Sequence, residues 1–243
     1  VDAVRKAARE ELRRGAHAIK IMGSGGVASP TDPIWNLQYS DEELRAIVWE
    51  AESWRTYAIA HAYTPEAISR AVEAGVRTIE HGNLIDLPTA RLMADRNAYL
   101  VPTLVTYSAI EEFGQSLNFP EVSQRKVRDV LEAGLTSLKI SREAGVKLGF
   151  GTDLLGELHD RQSQEFLIRS EVFPPLEVIQ SATITNAEIL NMQGELGVIS
   201  PRALADILIV DGNPLEDISL LTEQGKHLSV IMKDGEFVIN RLA

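Results

Sequence analysis

The sequence predicts an α/β protein built from parallel βα units, the layout of a (β/α)8 TIM barrel, with part of a small β-sandwich at its C-terminal end. Three observations carry this. Short apolar runs alternate with helical patterns five times along the chain. Lys20, His61, His81 and Asp153 close four of those runs, and barrels of this kind place their chemistry on the strand C-termini. After residue 195, strands follow one another without intervening helices.

Over residues 1–14, Val4, Ala8 and Leu12 share one face among many charges, which predicts an amphipathic helix ended by Gly15. Residues 16–22 then predict a strand. Residues 23–40, rich in Gly, Ser and Pro, form a connection longer than most in compact domains, which marks a functional loop. Ser40-Asp41-Glu42-Glu43 has the Ser-x-x-Glu form of a capping box and opens a helix over 41–54. Residues 56–60 predict a strand running into His61-Ala62-Tyr63. Thr64-Pro65-Glu66 opens a short helix that Gly75 closes. Residues 76–80 predict a strand running into His81-Gly82-Asn83, then 88–96 a helix and 99–101 a strand. A long helix over 120–144 ends at Gly145, and 146–150 predict a strand running into Gly151-Thr152-Asp153. Helices follow over about 161–171 and 175–190. The stretches 23–40, 104–120 and 154–165 read as specificity loops, with Trp35, Phe113, Leu117 and Phe119 as an apolar lining. Residues 205–210 predict a strand, and 227–233 and 236–240 flank Asp234-Gly235, a hairpin signal. The division expected is a barrel portion over 1–195 and a small β element over 196–243.

A doubly wound sheet is the second choice, but Gly23-Ser24-Gly25-Gly26 lacks the spacing of either the dinucleotide or the P-loop motif. Five parallel strands cannot close an eight-stranded barrel. Either the sheet is open, or about three strands and their helices lie outside this chain; the mid-helix opening at Val1 favours the second.

Composition narrows the chemistry. The formal net charge of −11 is spread along the 243 residues, which argues against nucleic acid or anionic membrane as partners. There is no cysteine, so disulfides and thiolate ligands are excluded, and any metal must use His, Asp, Glu or a modified side chain. No stretch of eighteen apolar residues occurs.

Each candidate residue has two readings. Lys20, in an apolar run, either snorkels to solvent or is kept neutral by burial, as a base or as a carbamate formed with CO2. His61 and His81 are either hydrogen-bonded structural residues or a ligand pair. Strands about 4.8 Å apart let two rings reach one ion at about 2.0–2.1 Å. Glu80, next to His81, should point the opposite way, toward packing. Asp153 is either an Asx-turn residue or a carboxylate that binds metal and shuttles a proton. Tyr63 either packs or donates a hydrogen bond to substrate. His159 is a loop residue or a substrate contact, while His17 and His227 read as structural or surface residues.

Taken together, Lys20 in Ile-Lys-Ile-Met, His61 in Ala-His-Ala-Tyr, His81 in Glu-His-Gly and Asp153 in Gly-Thr-Asp resemble the amidohydrolase superfamily. The branch is similar to the prolidase-like, Xaa-Pro dipeptidase and imidazolonepropionase-related hydrolases. The loop 25–30 and the tail 205–215 fit that branch too. The resemblance implies two divalent metals, usually zinc, bridged by a carboxylated Lys20. It implies His61 and His81 on one metal, Asp153 as ligand of the other and acid/base, and Tyr63 against the substrate. It implies hydrolysis of an amide bond in a dipeptide or N-acyl amino acid, and a homo-oligomer is expected. The family's His-x-His pair is not in this sequence, whose histidines are 17, 61, 81, 159 and 227. That departure agrees with the strand count in placing an N-terminal barrel segment outside this chain. Within the superfamily, a lactonase, phosphotriesterase-like enzyme or cyclic-amide hydrolase would use the same ligands. An inactive fragment is the alternative from another class.

Overall fold

The computed structural model describes residues 1–242. The chain divides into two compact units, Val1–Pro102 with Ile110–Leu148, and Thr103–Ala109 with the stretch from Gly149 onward.

The first unit is a five-stranded parallel sheet in the order β1-β2-β3-β4-β5: Ile19–Met22, Ala58–Ala62, Thr78–His81, Tyr99–Val101 and Lys147–Leu148. Between them run α1 (Asp2–Arg13), α2 (Asp41–Ser53), α3 (Pro65–Glu73), α4 (Leu87–Asp95) and α6 (Glu121–Ala144); α5 (Leu104–Phe113) divides between the two units. Local chemistry fixes the starts. Ser40 and Glu43 form the reciprocal capping box. Thr64 accepts from Ala67 N at the head of α3, and Asp86 from Thr89 N at the head of α4. Gly145, at φ 79, ends α6 in the left-handed region where a side chain would be strained.

Register assigns the two faces of the sheet. Lys20, Ile59, Thr78, Tyr99 and Lys147 stand in one row, and Met22, His61, Glu80 and Val101 in the next on the same side. The alternate residues Ile19, Ile21, Ala58, Ala60, Ile79 and Leu100 point the other way, into a core shared with Leu44, Ile47, Ile68 and Met93. The buried alanines of β2, Ala58, Ala60 and Ala62, let the helices approach closely.

Several expected boundaries move. The first strand begins at Ile19, not residue 16, because its ladder opens with Ile19 N on Tyr57 O, while His17 O accepts from the Thr56 hydroxyl. The second strand runs on to include His61 and Ala62. Residues 104–113, expected as loop, form α5. The fifth strand is only two residues long. Beyond it, both backbone groups of Phe150 pair with the side-chain amide of Asn186, which takes the place of a neighbouring strand.

In the second unit, a 3-10 stretch (Gly156–Gln164), also within an expected loop, leads into α7 (Glu165–Ser170) and α8 (Pro175–Gln180). A π turn over Ser181–Thr185 joins α8 to α9 (Asn186–Ile189). Glu165 and Arg169 form a fully buried ion pair at 2.8 Å. Glu165 also accepts from Val105 N, and Arg169 donates to Gly149 O. Three antiparallel strands follow, β6 (Ile207–Val210), β7 (Leu228–Lys233) and β8 (Glu236–Asn240). Asp234 and Gly235, at φ 49 and 82, make the tight turn between the last two. Among the described residues no helix is long and apolar enough to cross a membrane.

Candidate functional site

Three residues that the sequence singles out meet at the ends of β2 and β3. The rings of His61 and His81 lie 4.6 Å apart, nearly perpendicular. Tyr63 stacks on His81 at 5.2 Å and meets His61 edge-on at 4.9 Å. All three are buried. Register would turn His81, the partner of Ala62, toward the helices. Its φ of 78 breaks the alternation at the last residue of the strand. Thr103, after β4, and Asp153, after β5, also have positive φ, at 40 and 52. Such outliers cost about 1–3 kcal/mol each and gather at functional sites.

Burial controls the charge of the pair. It lowers the His61 pKa, opposed by the hydrogen bond to Gly25 and reinforced by the charge on Lys20. It holds His81 well below the usual imidazole value, with His61 and Lys20 acting in the same direction. Both rings are therefore neutral at neutral pH, the form that binds a metal ion.

Lys20 takes the solvent-reaching one of its two readings. Its side chain is 44% exposed, not interior, and Nζ donates to Glu80 Oε2 at 3.2 Å. Alternation places Lys20 on the sheet face away from the helices, so the apolar residues around it in sequence point elsewhere. Glu80, expected to face away from the site, stands on the same face as Lys20 and His61 and also accepts from the Thr78 hydroxyl at 2.6 Å. In the second unit, Asp153 is exposed and its carbonyl accepts from Thr106 Oγ1 at 3.3 Å. His159 is exposed in the 3-10 stretch. His17 is exposed and His227 partly so.

The glycine-rich loop after β1 closes over His61. Gly23 N and Ser24 N donate to His61 O at 2.8 and 3.3 Å, and Gly25 O lies 3.1 Å from His61 Nε2. A Cβ on Gly25 would fall 1.9 Å from Pro33 O, so only glycine fits that fold of the loop. Sequence reasoning missed what holds the loop from outside. Lys126 and Ser123, on α6, donate to its carbonyls, and Asn83 Nδ2 donates to Val130 O on the same helix. These are long-range contacts of ordinary helix and loop residues, and no local pattern announces them.

A divalent ion fits the donor chemistry here in part. Two neutral imidazoles on adjacent strands suit one ion. Lys20, as an ammonium on Glu80, is a donor and not a ligand.

The amidohydrolase family profile matches residues 1–238. A solved amidohydrolase is 58% identical, with a TM-score of 0.98, covering 100% of this chain and 59% of that one. A prolidase solved in complex with N-methylphosphonate-L-proline is 55% identical, TM-score 0.96, covering 98% and 58%. Ochratoxinase of Aspergillus niger is 32% identical over 241 residues, covering 97% of this chain and 49% of its own. The chain thus spans about half the length of that curated relative. Its five parallel strands and separate antiparallel sheet are the corresponding part of a TIM-barrel hydrolase.

Proposed function

The chain belongs to the amidohydrolase family, and from that premise we propose that the protein to which it contributes hydrolyses the amide C–N bond of a dipeptide or N-acyl amino acid. The observation that carries this reading is the meeting of two buried, neutral imidazoles with a buried phenol at consecutive strand ends. The likeness to a prolidase seen with a phosphonate of proline supports the substrate class, since a tetrahedral phosphonate has the shape of an amide carbonyl under attack by water.

Members of this family typically bind divalent metals, which polarise a carbonyl and make water nucleophilic near neutral pH when bound. The chain's own residues then have distinct tasks. His61 and His81 would hold one ion through neutral nitrogens. Lys20 would offer carbamate oxygens to the metals if its amine left Glu80 and added to CO2 with loss of a proton. Tyr63 donates its hydroxyl hydrogen to the carbonyl or carboxylate of the substrate and orients it. Asp153 would be a metal ligand, and its carboxylate would take a proton from water and return it to the departing amine. His159 contacts the substrate from the loop after β5.

A panel of Xaa-Pro dipeptides and N-acyl amino acids, assayed by release of the amine, tests the proposal on the chain and on its full-length parent. Zinc and bicarbonate are supplied and bound metal is measured. Amine release should fall at least about 100-fold in His61→Asn and His81→Asn, along with zinc content. A metal-loaded parent protein that cleaves lactones or phosphotriesters but releases no amine from any member of the panel would sink this reading.

A further inference from the structure

Lys126 lies on α6, far in sequence from every residue assigned so far, and it is half-buried. Its ammonium donates to three backbone carbonyls of the loop after β1: Gly26 O at 3.0 Å, Ser29 O at 2.6 Å and Asp32 O at 2.7 Å. An ammonium has three hydrogens, so all of them go to one loop. Ser123, one turn earlier and fully buried, adds a fourth tie to Ala28 O at 3.2 Å. Within the loop, Asp32 accepts from Gln38 and Asn36, and Gly25 N donates to Asn36 O. The loop is thus closed on itself and fastened to the helix at the turn that follows Gly25.

The other end of this chain of contacts is His61. Gly25 O, 3.1 Å from Nε2, is a carbonyl and can only accept, so the neutral ring must carry its hydrogen on Nε2. That leaves Nδ1 with the lone pair. Ligating histidines are commonly oriented this way, by donating the second ring N–H to a backbone carbonyl.

We propose that Lys126 is a positioning residue that fixes the tautomer of His61, holding Gly25 O in place through its three bonds to the loop after β1. The clamp itself needs no ligand. Its meaning for catalysis rests on the metal-binding reading of His61. Loss of charge at Lys126 removes all three ties at once, while the methylene stem stays packed if the replacement is Met.

The 243-residue chain, labelled with 15N and kept in chelator at about pH 8, above the ordinary imidazole pKa, gives a direct test. Long-range 15N–1H spectra report the tautomer of each histidine, and His61→Gln identifies the His61 signals. Wild type should show His61 in the single Nε2–H form. In Lys126→Met, His61 should average between its two tautomers, and amide exchange over 26–32 should speed about tenfold or more. Lys126→Arg, which keeps a cationic donor, should restore most of both. If Lys126→Met fails to give the wild-type circular dichroism, Lys126→Leu, which likewise carries no donor hydrogen, decides in its place. A single Nε2–H tautomer in the folded neutral variant overturns the proposal, whether or not the loop exchanges faster. Neither readout involves metal or substrate. A clamp that holds in a protein without amidase activity, and an active amidase whose His61 ignores Lys126, are therefore separate results.

Discussion

His61 and His81 carry a pH dependence whose sign follows from burial. In the folded chain both imidazoles resist protonation, whereas in the unfolded chain they titrate at about 6.5. Above that value both states are neutral and nothing is lost. As the pH falls through it, the unfolded state binds protons that the folded state refuses, so stability declines until the depressed folded pKa values are reached. In chelator, the melting temperature should therefore drop between about pH 7.5 and about pH 5.5, and His81→Gln should flatten the slope. The grouping of His61, His81 and Tyr63 was legible in the sequence because each stands at or just beyond a strand end. For Lys20 the sequence left exposure and burial both open, because its neighbours Ile19 and Ile21 are apolar; their alternation sends them to the core while Lys20 goes to the opposite face. Glu80 was misread for a related reason, since the left-handed turn at His81 breaks the alternation from which its direction was inferred.

Among the elements, the loop after β1 is held by its shape as much as by its ties. Gly25→Ala would drive a Cβ into the Pro33 carbonyl, and the loop would have to refold to relieve it. The expected cost is about 1–3 kcal/mol, read as a lower urea midpoint, with faster proteolysis between residues 25 and 33. Helix starts were legible wherever a side chain caps them, as at Ser40 and Thr64, because capping is decided within four residues. The helix over Leu104–Phe113 was hidden, since its mostly apolar sequence offers no clear polar stripe. The fifth strand was overextended because a side-chain amide, Asn186, replaces a strand partner at Phe150, and nothing near residue 150 in sequence says so.

At the level of the whole molecule, the two units should respond separately to damage. The second is secured by Glu165 and Arg169, both fully buried, with burial raising the one pKa and lowering the other against their mutual attraction. Glu165→Gln leaves the Arg169 charge buried without its counter-ion, which should cost about 3–5 kcal/mol. Amide exchange should rise across α7, α8 and α9 while β1 to β4 keep their protection; equal losses in both units would contradict a separate response. The barrel origin of the fold was legible from the βα rhythm alone. So was the shortfall of strands, because closure needs eight, and the 59% coverage of a solved relative agrees with it.

Lys126 presents its charge to an oxygen cage of the sort that loops elsewhere offer to potassium or sodium. Here the cation is part of the polypeptide. It cannot be dialysed away, exchanged for a larger ion or diluted. The order of the loop over His61 is therefore independent of which alkali metal the surroundings supply.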